Sequence, residues 1–362
     1  MAVTSVPAGL TPTQWDAKYF REYLNKNWIK QFSATGSNGL IQMKDALTKK
    51  PGDSVNFTLV NRLTGSAIDE TGTLEGNEEA LKLRSMPVTI REYSHAVRWE
   101  RWGEQLAAIP LRQAHKDALM DWNMELDRDN LIAALGSING VLYGSASEAQ
   151  KDAWAVDNED RLLFGNVKGN HSGDHSVDLA KVDNTADKLT AASVALMKRM
   201  AKTANPKIRP IKPRNGIAGS DMYVLFAPSL LIRDLANDSA FLQANREARA
   251  RGKANPIFQG ADYIYDNVAI YEVEDIGVLS GVGASSIDVA PCYLCGAQAI
   301  GMAWGMRPKT IGDTFDYERE YGVSIQQYYK IEKLRFGSGS GDTDDLKDHG
   351  VLTGYFAAVA DA

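Results

Sequence analysis

The stretch that decides the fold of this protein is GDSVNFTLVNRLTGSAIDETGTLEGNEEALKLRSMPVTIREYSHAV, residues 52–97. Near its start, the apolar side chains of Val55, Phe57, Leu59 and Leu63 alternate with polar ones. A period of two places successive side chains on opposite faces of an extended chain. The first part of this stretch therefore predicts a strand with one apolar face.

The later part of the stretch returns as a second strand. Its apolar residues change phase near Ser85, next to Pro87, and a proline removes one hydrogen-bond donor from a strand. A phase change beside a proline is typical of a β-bulge or an edge strand. The apolar residues of this strand are Leu81, Leu83, Met86, Val88 and Ile90.

An acidic segment, residues 64–80, joins the two strands and contains no lysine or arginine. Tight hairpins use about two to five connecting residues, and a longer loop without helical periodicity is usually disordered or functional. The acids lack the spacing of an EF-hand, so a calcium site is not predicted. Two alternatives stay open: a solvated loop, and an arm that contacts a basic surface on a neighbouring copy. The acids are Asp69, Glu70, Glu75, Glu78 and Glu79.

Two basic segments are candidates to receive such an arm. Exposed ion pairs contribute only about 0–1 kcal/mol each, so their role would be register and orientation more than affinity. Two strands alone are marginal in water, and we expect a neighbouring copy to supply the burial that this strand pair lacks. The candidates are Lys207, Arg209, Lys212 and Arg214 in one segment, and Arg246, Arg249, Arg251 and Lys253 in the other.

The composition is that of a globular protein with a sizeable core. The chain has 362 residues, 44% of them hydrophobic, and a formal net charge of −6, which argues against a nucleic-acid-binding protein. Two cysteines indicate a reducing compartment. The N-terminal residues lack the pattern of a signal peptide. The most apolar run, residues 292–306, is shorter than the roughly 20 residues of a membrane span, so no membrane association is expected.

Two helices stand out by their periodicity. Residues 15–32 place aromatic side chains, among them Trp15, Tyr19 and Trp28, three to five residues apart, which predicts an amphipathic helix. Its aromatic face is expected to dock on another surface, of which a second subunit is one candidate. Pro110 and Gly136 bracket a longer apolar pattern that predicts a spine helix. Residues 137–187 predict irregular structure with short elements. The later segments mix helices and strands without regular alternation, which favours an α+β fold.

No catalytic, cofactor or metal site is predicted. Cys292 and Cys295 form a CxxC without the second pair that a zinc site needs, and they lie in an apolar run. His171 and His175 are interpreted as solvated loop histidines, because neighbouring glycines disfavour a helix there. An acidic run on the spine helix is interpreted as a solvated face. It consists of Asp121, Glu125, Asp127 and Asp129.

The sequence resembles the major capsid proteins of tailed phages, which share the Hong Kong 97 fold, and within them the branch named for phage N-four. The order of elements is similar: an arm, a long two-stranded excursion, a spine helix and an α+β body. The matching segments are KYFREYLNKNWIKQF, LTKKPGDSVNFTLVNRLTG, TLEGNEEALKLRSMPVTI, ALMDWNMELDRDNLIAALGSING, YVLFAPS, NREARARGKANPIFQGADYIYDNVAIYE and GAQAIGMAWG.

The resemblance implies a division of the chain into regions. Residues 1–48 would be an N-terminal arm, and residues 49–100 an extended loop that reaches over an adjacent subunit. Residues 101–187 would form a peripheral domain with the spine helix. Residues 188–307 would form an axial domain, and residues 308–362 would return to the peripheral domain and end in a tail.

The resemblance also implies a non-enzymatic shell protein without cofactors. Its partners would be many copies of itself, in pentamers and hexamers, with a separate scaffolding protein, a portal and, in some shells, a decoration protein. The shell would enclose double-stranded DNA without sequence-specific binding, and would assemble in the bacterial host cytoplasm as a virion capsid. The alternatives are an encapsulin-like compartment shell and a soluble enzyme with a dispersed active site.

Overall fold

The computed structural model describes residues 32–45, 52–70, 72–107, 110–212, 221–243 and 263–361. Within them the chain forms two main sheets, two small two-stranded sheets and helices that cover the larger sheets. Mixed helices and strands confirm the predicted α+β class. The predicted aromatic helix lies outside the described residues, apart from its last residue. Among the described helices, none combines the length and the apolar character needed to cross a membrane.

A five-stranded sheet is built around a long antiparallel hairpin. Its two central strands pair from Ile300 opposite Lys333 to Phe315 opposite Glu320. Side chains of the second hairpin strand alternate between buried and half-buried, as a period of two requires. The strand order is β1 (Ser33–Ala34), β2 (Ile41–Lys44), β11 (Ile300–Phe315), β12 (Glu320–Lys333) and β5 (Arg91–Glu100).

The spine helix packs along this sheet. Helix α1 (Arg101–Leu106) follows β5, and α2 (Leu111–Leu135) is the predicted spine, with 25 residues and a length of about 38 Å at ~1.5 Å per residue. Leu119 is buried against β5 and β12. The amide of Asn130 donates to the hydroxyl of Tyr329 on β12 at 2.8 Å, which fixes the helix against the sheet.

A six-stranded sheet forms the second body. Three adjacent strands at its centre are completely buried, because helices cover one face and the spine helix and first sheet cover the other. Helices α5 (Ala191–Thr203) and α6 (Ser229–Asn237) cover the first face, whereas α3 (Glu148–Asp157) and α4 (His175–Leu179) pack on the second face, beside the spine helix. The strand order is β6 (Leu162–Phe164), β15 (Val351–Ala357), β10 (Val289–Cys295), β7 (Tyr223–Ala227), β9 (Val268–Glu272) and β8 (Tyr263–Tyr265).

Strand β15 occupies an interior position in this sheet. It pairs antiparallel with β10 through seven residue pairs and parallel with β6. The six-stranded sheet therefore combines strands from three of the segments that the sequence separates, residues 101–187, 188–307 and 308–362. The division into peripheral and axial domains stays a prediction.

Buried polar groups order the region that the sequence predicts to be irregular. The carboxylate of Asp178, which is fully buried, accepts from the backbone N–H of Ser172 at 2.9 Å. Asp187 accepts from the backbone N–H of Asn166 at 2.7 Å. Such bonds satisfy backbone donors that no helix or sheet supplies with a partner. They hold together the short helices and the short strand of this stretch.

Two short strand pairs complete the fold. Strands β3 (Ser54–Val60) and β4 (Leu83–Thr89) pair antiparallel in a continuous register that sets Asn56 opposite Pro87. The bulge alternative is therefore wrong and the edge-strand alternative is confirmed, because each strand has a single partner. The other pair is β13 (Arg335–Gly337) with β14 (Leu346–Asp348).

Candidate functional site

The candidate site is a protruding loop, residues 61–82, that leaves the body between β3 and β4. Its described residues form neither helix nor strand and are almost all exposed, including the five predicted acids. Leu63 and Leu74 are 61% and 75% exposed. The sequence pattern placed Leu63 on the first strand, which is wrong because that strand ends at Val60, and it did not single out Leu74. The signal for Leu74 was a large apolar residue inside a polar segment that has no partner strand.

The base of this loop has its own core. Phe57 and Val88 are 1% and 0% exposed, and they pack with Ala303, Leu334 and Phe336 of the same chain. The expectation that the strand pair needs a neighbouring copy for its burial is therefore wrong for β3 and β4. It was wrong because the residues that cover the pair lie far along the sequence. Between the start of β3 and the end of β4, the described residues that lack packing within the chain are those of the protruding loop.

Polar contacts also hold the base to the body. The guanidinium of Arg84 donates to the carbonyl of Gly339 and lies 3.8 Å from the carboxylate of Asp342. The hydroxyl of Ser85 donates to the same carboxylate at 2.9 Å. Hydrophobic and charged contacts together fix β3 and β4 to the body of the protein. The direction in which the protruding loop leaves the body is therefore fixed.

Glu79 closes the protruding loop on itself. Its carboxylate accepts from the backbone N–H groups of Thr64, at 2.9 Å, and Gly65, at 2.6 Å, and from the hydroxyl of Thr64 at 3.0 Å. These bonds favour the ionised form, and the two backbone bonds are the main reason that the pKa of Glu79 lies below its usual value. One of the five predicted contact acids thus has a role inside the loop.

We expect Glu79→Gln to loosen the protruding loop without unfolding the body. The variant keeps the size of the side chain and removes the charge that strengthens these hydrogen bonds. Amide hydrogen exchange at Thr64 and Gly65 should become faster, whereas exchange in β10 should not change. Because the pKa of Glu79 is lowered in the folded loop, the same loosening should occur in the unmodified chain as the pH falls through that pKa.

The other predicted contact residues lie on the N-terminal arm and in the two basic segments. The aromatic residues Trp15, Tyr19 and Trp28 lie outside the described residues. So do the basic residues Arg246, Arg249 and Arg251. Of the alternative basic segment, Lys207, Arg209 and Lys212 are described and exposed. The predicted contact joins the protruding loop of one copy to a basic segment of another. A single chain does not test it, so these pairings stay predictions.

Cys292 and Cys295 are buried and unpaired on β10. Residues three apart on a strand point to opposite faces, and the two side chains accordingly lie in different cores on either side of the sheet. Burial raises the pKa of both thiols. The CxxC sequence therefore corresponds to two core residues, in agreement with the sequence interpretation.

The interpretation of His171 and His175 as solvated is wrong. The imidazole of His175 is 1% exposed and lies among the rings of Trp154, Phe164 and Tyr355. His171 packs edge-on against Phe164. Local polarity suggested solvent exposure, but the rings that cover the histidines come from other parts of the chain. Burial lowers the pKa of His175 to about 4, and it does the same for His349, also to about 4.

We expect acid to destabilise the unassembled protein between pH 6.5 and about 4 because of these two histidines. In this window the unfolded chain binds protons that the folded chain does not, so stability falls as the pH falls. The loss is about 3 kcal/mol for each histidine across the window. Urea midpoints measured against pH provide the check. His349→Phe should flatten the profile, and His95→Asn, at an exposed position, should not.

The acidic run on the spine helix is only partly a solvated face. Arg128, in the middle of the run, is 6% exposed, and its guanidinium lies 3.0 Å from the carboxylate of Asp275. Asp127 contributes to the raised pKa of Tyr329, although burial of that phenol is the main cause. The run therefore also connects the helix to the body.

Among the described residues, one group of carboxylates lies close enough to hold a metal ion, formed by Glu148, Asp152 and Asp174. Asp152 accepts from the backbone N–H of His175 at 2.8 Å, and Asp174 caps the start of α4. These contacts give two of the three carboxylates a structural role.

A charged pair is buried where β12, β14 and α3 meet. The ammonium of Lys333, at the end of β12, is 2.6 Å from the carboxylate of Asp348 on β14, and both side chains are 2% exposed. The indole N–H of Trp154 donates to the same carboxylate at 3.2 Å. Arg161 donates to the backbone carbonyl of Asp348. The pair thus joins β12, β14 and α3.

The whole chain matches known capsid proteins. A family model described as "Phage capsid protein" matches residues 3–360. The major capsid protein of Pseudomonas phage KPP25 is 27% identical over 365 residues, which cover 96% of this chain and 95% of that protein.

Solved capsid structures share the fold. The capsid of cyanophage Pam1 superimposes with a TM-score of 0.87 at 31% identity, and that of Ralstonia phage GP4 with 0.79 at 24%; each match covers 100% of both chains. These likenesses confirm the Hong Kong 97-like fold. They do not favour an enzyme or an encapsulin-like shell. The chain belongs to the phage capsid protein family, and it is a structural component of a virion capsid built from many copies of itself.

Proposed function

We propose that this chain is the major head protein of a tailed phage, and that it closes into an icosahedral shell of pentamers and hexamers around double-stranded DNA. The observation that carries the proposal is the protruding loop. It is anchored at its base by the chain's own core and is exposed along its length. The loop adds little packing to an isolated chain, whereas a shell can bury it between copies.

The protruding loop would lie on an adjacent subunit. Its leucines would supply apolar contact, and its acids, apart from Glu79, would face basic side chains such as Arg246, Arg249 and Arg251. Trp15, Tyr19 and Trp28 of the N-terminal arm would dock on another subunit. The spine helix would belong to the peripheral domain and residues 188–307 to the axial domain around the five- and six-fold centres.

Further partners belong to the same proposal. A separate scaffolding protein, a portal and a decoration protein would meet this subunit during or after assembly in the host cytoplasm. The net charge of −6 is compatible with a shell that encloses DNA without binding its phosphates tightly. No base-specific contact is required for this role.

Electron microscopy of the purified, full-length protein tests the proposal. Closed shells or rings of subunits are the expected result, and nuclease-protected DNA in shells from infected cells would support a head protein. Shells loaded with a protein cargo would instead indicate a cellular compartment. A small discrete particle with enzymatic turnover would overturn the proposal.

A further inference from the structure

The turn between β11 and β12, residues 316–319, has a strained backbone. Asp316, Tyr317 and Glu318 have φ angles of 48°, 53° and 65°. Left-handed conformations are uncommon for residues other than glycine, and each costs on the order of 1 kcal/mol or more. Tyr317 is in addition 100% exposed. A fully exposed aromatic residue on a strained turn gives the isolated chain no stability.

The surrounding contacts hold this turn rigid. The backbone N–H of Arg101, at the start of α1, donates to the carbonyl of Arg319 at 2.8 Å. The guanidinium of Arg98 lies 4.5 Å from the centre of the Phe315 ring and pairs with Glu320. The Tyr317 side chain is therefore presented on a preorganised support, which lowers the entropy lost when it binds.

A cavity lies directly beside the turn. Its volume is about 280 Å³, enough for one aromatic side chain and at the small end for a ligand pocket. Trp102, on one wall, is 65% exposed. Tryptophan, tyrosine and arginine are the residue types most enriched at the energetic centres of interfaces. The lining residues are Glu100, Arg101, Trp102, Gln105, Tyr317, Glu318, Arg319 and Glu320.

We propose that Tyr317 of one subunit inserts into this cavity on a second copy of the chain. The proposal rests on the capsid function above and adds a specific contact to it. The cavity rim carries both signs of charge, so acids such as Glu318 on one copy can face Arg101 on the other. The tyrosine and the cavity are adjacent on each copy. Copies related by a symmetry axis that passes near the turn can therefore bury both through one repeated contact.

The first test separates assembly from folding. Tyr317→Gly relieves the left-handed strain and should leave the thermal midpoint of the unassembled chain unchanged or higher. The same variant should lower the yield of shells by roughly tenfold or more, as expected for loss of a central aromatic contact. Tyr317→Phe keeps the ring and should assemble normally. A residue with a merely structural role would change folding and assembly in the same direction.

The second test detects the contact itself. Chains with Tyr317→Cys are co-assembled with chains carrying Gln105→Cys, and the shells are oxidised. Disulfide-linked dimers should form well above the level that either variant gives alone, and the native cysteines are buried. Replacing the second variant with Leu142→Cys, at an exposed position outside the cavity, should give no such increase.

The outcomes distinguish this contact from the wider function. Normal shells from Tyr317→Gly, with no increase in linked dimers, would overturn the contact and leave the capsid function intact. If the unmodified chain forms no shells under any condition that assembles related capsids, the proposed function fails, and this contact fails with it.

Discussion

A chain that lacks residues 64–80 should fold and fail to form closed shells. The strands that carry the protruding loop are covered by Ala303, Leu334 and Phe336, so their packing does not depend on the loop. The backbone N–H of Asn61 already donates to the carbonyl of Lys82 at 3.0 Å, which brings the chain ends together for a short turn. Circular dichroism and the thermal midpoint should stay near those of the unmodified chain.

The assembly defect has a physical basis in what the loop exposes. Leu74, which the deletion removes, is 75% exposed in the isolated chain, and burying a leucine contributes about 1.5–3 kcal/mol. Each subunit of a shell would lose this contribution, and the loss would recur at every copy. Sedimentation and electron microscopy should therefore show small oligomers in place of shells.

A matched control separates loop length from loop chemistry. In it, residues 64–80 are replaced with a glycine–serine segment of equal length. If contact with a neighbour matters, this variant should assemble as poorly as the deletion. Normal shells from the deletion itself would contradict the bridging role of the loop.

Lys333→Met should destabilise the protein by about 3–5 kcal/mol, because it leaves the carboxylate of Asp348 buried without its charged partner. Methionine preserves most of the side-chain volume, so a cavity contributes little to the effect. Chemical denaturation of the unassembled chain measures the change. In this variant α3 should unfold before the rest of the chain, because the indole of Trp154, on α3, donates to that carboxylate.

The double variant Lys333→Met with Asp348→Asn provides the control. Asparagine keeps an oxygen that can accept from Trp154 and carries no charge, so most of the lost stability should return. If the two changes instead add, the charged pair is not what holds this region. A single-variant loss below about 1 kcal/mol would lead to the same conclusion, since that is the range of an exposed pair.

Features that are local in the sequence could be predicted from it. The spine helix follows from apolar spacing between Pro110 and Gly136, and the protruding loop follows from an acidic segment between two alternating strands. Both depend on residues that are neighbours along the chain. Local pattern did not indicate the strained turn at Tyr317, because tyrosine rarely adopts that conformation.

Features that depend on distant contacts could not be predicted. The polar sequence around His175 gave no sign that Trp154 and Tyr355 would enclose it. Nothing near Phe57 indicated that Phe336 would cover it. Leu74 of the protruding loop was missed for a different reason, since the charge of the segment drew the interpretation toward ion pairs.

The position of β15 controls when the subunit can be completed during synthesis. This strand is translated after the other five strands of its sheet, yet it separates β6 from β10. Until residues 351–357 leave the ribosome, both of those strands keep an unpaired edge. A chain that stops before residue 351 therefore cannot complete the six-stranded sheet.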